Sequence, residues 1–307
     1  MIFLCGIPSE PSLALVIEQL NKLSVPHVVF NQRHFASMEL EFEINNGQVE
    51  GWMQLEGRSY RLEHFTGVYT RLMNYQFLPE LENEPPNSPM RLYCHALHNT
   101  LTRWYEIAPA RVLSRNAEIG SNFSKPYQVQ LILEHGIAVP DTLVTNDPDN
   151  VLKFRKQHKQ IIYKSISCAR SIVQTLEDKD LQRLNRIRWC PTLFQEFIEG
   201  TNIRVHTVGN EVFATSVSTI ATDYRYAYLQ GEQEELKAIE LPQELAERCV
   251  KLSQALGLEF AGVDLKITPD NQVYCLEVNP GPAFSYYEYH TRQPIAKAVA
   301  KYLAGIG

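Results

Sequence analysis

The sequence lacks the signals of several large protein classes. No apolar run approaches the roughly 20 residues that a transmembrane helix requires, so no membrane partner is expected. The first ten residues, MIFLCGIPSE, have no basic segment and no long apolar core, which argues against a signal peptide. The six cysteines are scattered without a Cys-x-x-Cys pair. This pattern disfavours a zinc site or a disulfide framework, and we expect a reducing, cytoplasmic location.

An excess of positive charge is also missing. The net charge of -6 disfavours a dedicated nucleic-acid binder, so no nucleic-acid partner is expected. Hydrophobic residues make up 44% of the chain and charged residues 21%, which is an ordinary globular composition. A chain of 307 residues is too long for one ordinary core, so two or three lobes are expected. A homo-oligomer stays open.

The N-terminal part has the pattern of an α/β unit. Apolar runs at Ile2–Leu4 and Val28–Phe30 flank a segment with helical spacing at Leu13–Leu23, which predicts strand, helix and strand. The pattern G-x-G-x-x-G is absent, so no dinucleotide fingerprint is present. The segment Met38–Tyr60 alternates about Asn46-Gly47 and predicts a β-hairpin.

The chain changes character near Ser121, and we expect domains at 1–115, 116–200 and 201–307. Helices are predicted over Ser124–His135, which ends at Gly136, and over Asp178–Arg188. A hairpin is predicted for Ile203–Val208 and Val212–Ser218.

Two apolar runs, GVDLKI and VYCLEVN, flank a turn at Asp270-Asn271 and predict a second hairpin. Pairing about this turn places Lys266 opposite Cys275 and Asp264 opposite Glu277, with Cβ atoms of opposed residues roughly 5 Å apart. Asn279 lies two residues beyond Glu277 and therefore on the same face of the sheet. The sequence thus predicts that two carboxylates and an amide converge.

Two carboxylates this close repel each other, and a hard divalent cation relieves the repulsion with oxygen ligands of this kind. Magnesium keeps water and nucleotide phosphates among its ligands, which suits ATP chemistry. The alternative is that these are surface polar residues of an edge hairpin.

The runs Gly262-Val263-Asp264-Leu265 and Leu276-Glu277-Val278-Asn279-Pro280 resemble the metal-binding end of the ATP-grasp superfamily. Within it, the chain is most similar to RimK-type amino-acid ligases, with some likeness to graspetide ligases that cyclise peptides. The resemblance implies an α/β fold with an N-terminal Rossmann-like lobe, a central lobe and a C-terminal lobe. ATP would lie between two antiparallel sheets. It also implies that Asp264, Glu277 and Asn279 bind two Mg²⁺ ions, with Mn²⁺ as an alternative ion.

The resemblance extends to a nucleotide pocket. It implies phosphate contacts from Lys125 and Lys164, and a hinge for adenine and ribose in the run Gln195-Glu196-Phe197-Ile198-Glu199. Arg170 lies in a glycine-free segment where the family usually has a glycine-rich loop. Further candidates are Asn202, which stands where RimK-type ligases carry Asp, and the catalytic pair Arg204 and Arg225.

The implied reaction joins a carboxylate to an amine through an acylphosphate, releasing ADP and phosphate. The substrate would be a small-molecule amino acid or a peptide, with Arg71, Ser285 and Tyr286 as candidate contacts. Aromatic residues of the run Phe284-Ser285-Tyr286-Tyr287 either line the substrate pocket or pack the last helix. Two other functions stay open: a kinase of the same fold, and a non-catalytic nucleotide-binding protein.

Overall fold

The computed structural model of the protein describes residues 1–113, 115–120, 124–166, 173–218 and 235–306. Its strands, numbered in chain order, are β1 (Ile2–Gly6), β2 (His27–Asn31), β3 (Glu39–Asn45), β4 (Gln48–Leu55), β5 (Arg58–Arg61), β6 (Gly67–Arg71), β7 (Arg111–Leu113), β8 (Thr142–Thr145), β9 (Ile161–Ser165), β10 (Gln174–Thr175), β11 (Thr192–Glu196), β12 (Thr201–Val208), β13 (Glu211–Ser218), β14 (Glu235–Ile239), β15 (Phe260–Ile267) and β16 (Val273–Pro280). The α-helices are α1 (Pro11–Lys22), α2 (Pro89–Ile107), α3 (Asn116–Ile119), α4 (Lys125–Glu134), α5 (Pro148–Gln157), α6 (Asp178–Leu181), α7 (Gln243–Ala255), α8 (Ser285–Thr291) and α9 (Ile295–Ala304).

The N-terminal lobe is built on a parallel sheet of order β2-β1-β6-β7, as the Rossmann-like expectation requires. Successive side chains of β1 point to opposite faces, so Phe3 and Cys5 pack towards α2 while Ile2 and Leu4 pack towards α1 and α9. The predicted hairpin at Asn46-Gly47 is confirmed, and β5 adds a third antiparallel strand to it. Helix α9, from the far end of the chain, thus completes the core of the first lobe.

The central lobe carries an antiparallel sheet of order β10-β9-β11-β8 over a small core. The prediction of one helix over Asp178–Arg188 is wrong, because α6 ends at Leu181 and a 3₁₀ helix runs over Leu184–Trp189. Leu181, Leu184 and Ile187 all pack on this core. Leu184 and Ile187 are one 3₁₀ repeat apart and therefore lie on the same side of the 3₁₀ helix, while Leu181 reaches the core from the end of α6.

The C-terminal lobe is an antiparallel sheet of order β14-β13-β12-β15-β16. The hairpin of β12 and β13 forms as predicted. One face of this sheet is apolar and packs against helices α4 and α7; we call it the core face. The opposite face carries the charged residues and is called the polar face below.

The register of β15 and β16 departs from a regular hairpin at one point. Asp264 lies opposite Glu277 as predicted, but the predicted pairing of Lys266 with Cys275 is wrong, because Lys266 lies opposite Tyr274. A β-bulge follows Asp264 and leaves Leu276 as the extra residue. The bulge allows Cys275 to point into the core while Lys266 stays on the polar face.

In the parts of the chain that the structure describes, no helix combines the length and apolar character needed to cross a membrane.

Candidate active site

The polar face of the C-terminal sheet gathers residues from three neighbouring strands. Strand β12 contributes Asn202, Arg204 and His206, which lie opposite Lys266, Asp264 and Gly262 of β15. Strand β16 adds Glu277 and Asn279 opposite Asp264 and Gly262. Alternation along each strand therefore places four charged side chains and two amides on one surface.

The three predicted metal ligands come together. The Asn279 side-chain amide donates to Asp264 Oδ2 at 2.9 Å and to Glu277 Oε1 at 3.2 Å. The two orientations of an Asn amide are a choice of assignment, and a rotation about its bond presents the oxygen instead. Two carboxylates and one amide oxygen form an all-oxygen donor set, which suits a hard divalent cation such as Mg²⁺.

A buried ion pair stands beside these ligands. Arg204 Nη1 lies 2.8 Å from Asp264 Oδ1, and both residues are less than 10% exposed. The guanidinium covers Gly262, where an added Cβ would lie only 2.2 Å from Arg204 Nη2. The Tyr287 ring faces the same guanidinium, with its centroid 5.8 Å from Arg204 Cζ. Glycine at position 262 thus leaves the space in which Arg204 reaches Asp264.

The predicted phosphate residue Lys125 lies at the start of α4 and points to the metal ligands. Its Nζ is 3.5 Å from Glu277 Oε2, and both side chains are largely buried. Two cations, Lys125 and Arg204, therefore accompany the two carboxylates, and phosphate oxygens placed here would meet positive charge.

The predicted adenine hinge connects the central and C-terminal sheets. Gln195 and Lys164 lie on the face of the central sheet opposite its core, and both are buried. Beyond β11, the Phe197 ring lies under the ammonium of Lys266 at 5.0 Å from its centroid. Burial lowers the pKa of Lys266, and the nearby Glu199 carboxylate partly counteracts this effect. The sequence does not predict Lys266 as a site residue, because no local pattern indicates a contact with a hinge more than 60 residues earlier in the chain.

The side chain of Glu196 turns away from this cleft. His158 Nδ1 is 3.8 Å from Glu196 Oε1, and its Nε2 is 3.7 Å from Asp141 Oδ2. Glu196 therefore offers the cleft its backbone, in line with the expected backbone contact to a base. Of the other hinge residues, Ile198 is buried and Asn202 is half-buried beside Lys266.

The predicted substrate residues do not form one cluster. Arg71 donates to the Gly281 carbonyl and pairs with Glu10, each at 2.8 Å. Ser285 and Tyr286 line a groove of about 700 Å³ between α8 and α1. Phe284 is fully buried against Phe260 and α9, so this aromatic packs the core rather than a substrate wall.

Two further predicted residues, Arg170 and Arg225, lie outside the described residues. His206, which the sequence did not single out, is fully buried next to Arg204 and meets the Tyr287 ring at 4.9 Å. Burial, with a smaller effect of the Arg204 charge, holds the pKa of His206 well below its usual range. The imidazole is therefore neutral in the folded protein at neutral pH.

Comparisons with known proteins identify the family and the fold. A family described as RimK-like ATP-grasp domain matches residues 124–303. The chain belongs to the RimK-like ATP-grasp family. The parallel sheet of the N-terminal lobe precedes this match, and the antiparallel sheets of the central and C-terminal lobes lie within it.

Individual relatives are distant. A protein named "Probable alpha-L-glutamate ligase" from Rhodopirellula baltica is 25% identical over 224 residues, which cover 66% of this chain and 52% of that protein. The chain thus spans about half the length of the curated relatives that it matches.

Solved structures match over nearly the whole chain. A Chryseobacterium gregarium RiPP-associated ATP-grasp ligase, in complex with ADP and with leader and core peptide, has a TM-score of 0.83 at 20% identity and covers 100% of this chain and 97% of its own. The ATP-grasp ligase PsnB, complexed with minimal precursor, Mg and ADP, has a TM-score of 0.77 at 25% identity, covering 99% and 96%. These likenesses establish the ATP-grasp fold.

Proposed function

We propose that this protein is an ATP- and Mg²⁺-dependent carboxylate–amine ligase that forms an amide or peptide bond. The observation that carries the proposal is the meeting of Asp264, Glu277 and Asn279 on the polar face, with Arg204 and Lys125 beside them. An all-oxygen donor set with adjoining cations is the environment that magnesium-bound phosphates require.

The residues of the polar face have distinct roles in this proposal. Asp264, Glu277 and Asn279 hold two Mg²⁺ ions, for which Mn²⁺ can substitute. When bound, the ions neutralise phosphate charge and orient the γ-phosphate. Arg204 orients the Asp264 carboxylate through their 2.8 Å contact, and Lys125 and Lys164 bind phosphate oxygens.

The base and ribose would bind at the hinge. The backbone from Glu196 to Ile198 would bond the adenine edge, and Glu199 would accept from ribose hydroxyls. Lys266 contacts Phe197 of the hinge and lies two residues from Asp264 on β15, and in this proposal its ammonium contacts the nucleotide phosphates. Arg170 and Arg225 are retained as further phosphate contacts on the family resemblance alone.

The reaction proceeds in two displacements. A substrate carboxylate oxygen attacks the γ-phosphorus, the bond to the β-phosphate oxygen breaks, and ADP leaves. The amine then attacks the acyl carbon of the acylphosphate, loses a proton and expels phosphate. The chain needs no nucleophile of its own, since it acts by orienting reactants and by stabilising charge.

The acceptor is an amino acid or a peptide. One relative is named as a glutamate ligase, one structure above holds a leader and core peptide, and the other holds a minimal precursor, which together support this substrate class. Ser285 and Tyr286 lie just after the metal ligands and are retained as substrate contacts. Because Arg71 already binds Glu10 and Gly281, its role is to hold the loop that follows Asn279.

The experiment is release of ADP and phosphate from MgATP with pools of amino acids and peptides. A ligase requires both a carboxylate and an amine and yields an amide of the summed mass less one water. Turnover with a hydroxyl compound alone, yielding a phosphorylated product, would point to the kinase instead. Nucleotide binding without turnover in any pool would support the non-catalytic alternative.

A further inference from the structure

One buried amide of helix α4 is bonded to the backbone between two of the metal ligands. Gln128 is only 2% exposed. Its Nε2 donates to the Val278 carbonyl at 2.7 Å, and its Oε1 accepts from the Val278 N–H at 2.9 Å. A single side chain therefore satisfies both backbone groups of Val278.

This contact stands where another strand would otherwise pair. Among the described residues, strand β16 is at the edge of the C-terminal sheet, and its outer side is paired with an isolated bridge from Ala138 to Tyr274 rather than with a further strand. A carboxamide has the same donor and acceptor as a peptide unit, and Gln128 closes this edge as a neighbouring strand would. Buried backbone groups need such partners, which explains why a polar residue lies in an otherwise apolar helix–sheet contact.

The position of the contact gives it a second consequence. Glu277 and Asn279 flank Val278, and their side chains project to the polar face while Val278 projects to the core. Fixing both peptide groups of Val278 therefore fixes the direction in which the two ligand side chains leave the strand.

Helix α4 also reaches one of these ligands directly. Lys125 precedes Gln128 by three residues and lies on the same side of the helix. Its Nζ is 3.5 Å from Glu277 Oε2. The helix thus contacts the ligand strand at two adjacent points, one on the backbone and one on a carboxylate.

We propose that Gln128 is a positioning residue that holds Glu277 and Asn279 in the arrangement that binds magnesium. The inference rests on the proposed metal site and adds to it a residue about 150 positions earlier in the chain. Magnesium demands near-ideal octahedral geometry, so a small rotation of β16 weakens its binding. Groups that orient metal ligands typically change affinity about 10- to 100-fold when they are removed.

The test compares Gln128→Met with Gln130→Met. The first variant keeps the length of the side chain but loses both hydrogen bonds. The second makes the same change at an exposed position of the same helix. Leu252→Ala, in the core between α7 and the sheet, serves as a control for destabilisation of the lobe alone.

The readout is binding of Mn²⁺ in the presence of ADP, followed by electron paramagnetic resonance at a temperature where circular dichroism shows each variant folded. We expect Gln128→Met to weaken Mn²⁺ binding about tenfold or more. Gln130→Met and Leu252→Ala should bind as the parent protein does. If Gln128→Met does not fold, Gln128→Asn, whose amide is too short to reach Val278, is measured in its place.

The outcomes separate the two proposals. If the parent protein binds no Mn²⁺ with ADP, the proposed function fails. If the parent binds and the Gln128 variant binds equally well, the metal site stands and the positioning role of Gln128 is overturned. Equal weakening in Leu252→Ala would also overturn it, because any loosening of the lobe would then suffice.

Discussion

The C-terminal and central sheets differ in how their charged side chains are paired and buried. The polar face of the C-terminal sheet buries Arg204 and Asp264 as a direct pair at 2.8 Å, above an extensive apolar core. The central sheet rests on a small core, and its triad Asp141, His158 and Glu196 stands partly exposed with contacts of 3.7 and 3.8 Å. Of these two groups, the closely paired and buried one lies in the lobe with the larger core.

This difference assigns different tasks to the two sheets. Buried ions pay a high desolvation cost that close partners must offset, and such an arrangement keeps ligands oriented before a metal arrives. A hinge that offers mainly backbone groups does not need buried charge. We therefore expect loss of the buried Arg204–Asp264 pair to reduce the free energy of unfolding as well as metal binding, and loss of an exposed charge pair of the central lobe to have a small effect on stability.

The strongest test of the comparison is the loss of one cation from each lobe. Arg204→Met removes the guanidinium that pairs with the buried Asp264 at 2.8 Å, and removing one partner of a buried pair typically costs about 3–5 kcal/mol. Arg155→Met breaks the pair with the exposed Asp178 of the central lobe, for which about 0–1 kcal/mol is expected. Urea denaturation of both variants gives the free energies of unfolding, and equal values would remove the distinction between the lobes.

The second test concerns activity without a large change in stability. Glu277→Gln keeps the shape of a proposed metal ligand but removes its charge. We expect kcat for ADP release to fall by about 10²–10³-fold, the size typical of losing one electrostatic contact to a transition state. Glu247→Gln, at an exposed position of α7, is the matched control. A Glu277→Gln enzyme with near-normal turnover would contradict the metal role of Glu277.

The third test probes the boundary between the sheets. Lys266 lies over Phe197 of the hinge, and burial lowers its pKa, so the ammonium is held there at a cost in folding. Lys266→Met should leave stability unchanged or raise it, while KM for ATP rises roughly 10-fold or more through loss of a charged contact. Lys251→Met on the exposed side of α7 should change neither quantity. An unchanged KM would mean that Lys266 serves only the fold.

Much of the metal site follows from local geometry. Asp264, Glu277 and Asn279 lie within 16 residues on two strands joined by a short turn, so the turn and the two-residue alternation are enough to bring them together. The same reasoning gave the wrong partner for Lys266 on the same hairpin, because the bulge at Leu276 pairs Lys266 with Tyr274. A bulge depends on which side chains the core accepts, and the hairpin sequence alone does not reveal this.

The residues that support the metal ligands could not be predicted from the sequence, for a different reason. Gln128 contacts Val278 across 150 positions, and its neighbours give no sign of an amide turned towards a sheet edge. Helix α8 was likewise not predicted, since its start depends on Phe284 entering the core between α9 and the N-terminal sheet. Long-range packing decides both features, whereas the pattern of a strand or an amphipathic helix is local.

The last test concerns His206, the neutral imidazole of the polar face. Its pKa is well below the usual value when folded, because it is buried and next to the Arg204 cation. The unfolded chain binds the extra proton below about pH 6.5, so His206 makes the protein less stable by about 1.4 kcal/mol for each pH unit below that value. His206→Phe, which keeps a ring against Tyr287, should abolish this part of the acid sensitivity.

Chemical denaturation at pH 7.5 and 5.5 measures the acid sensitivity of the free energy of unfolding in parent and variant, with His64→Phe as the exposed control. If parent and His206→Phe lose the same stability at acid pH, the imidazole of His206 also takes up its proton in the folded state. The polar face would then accept this additional positive charge despite the burial of His206.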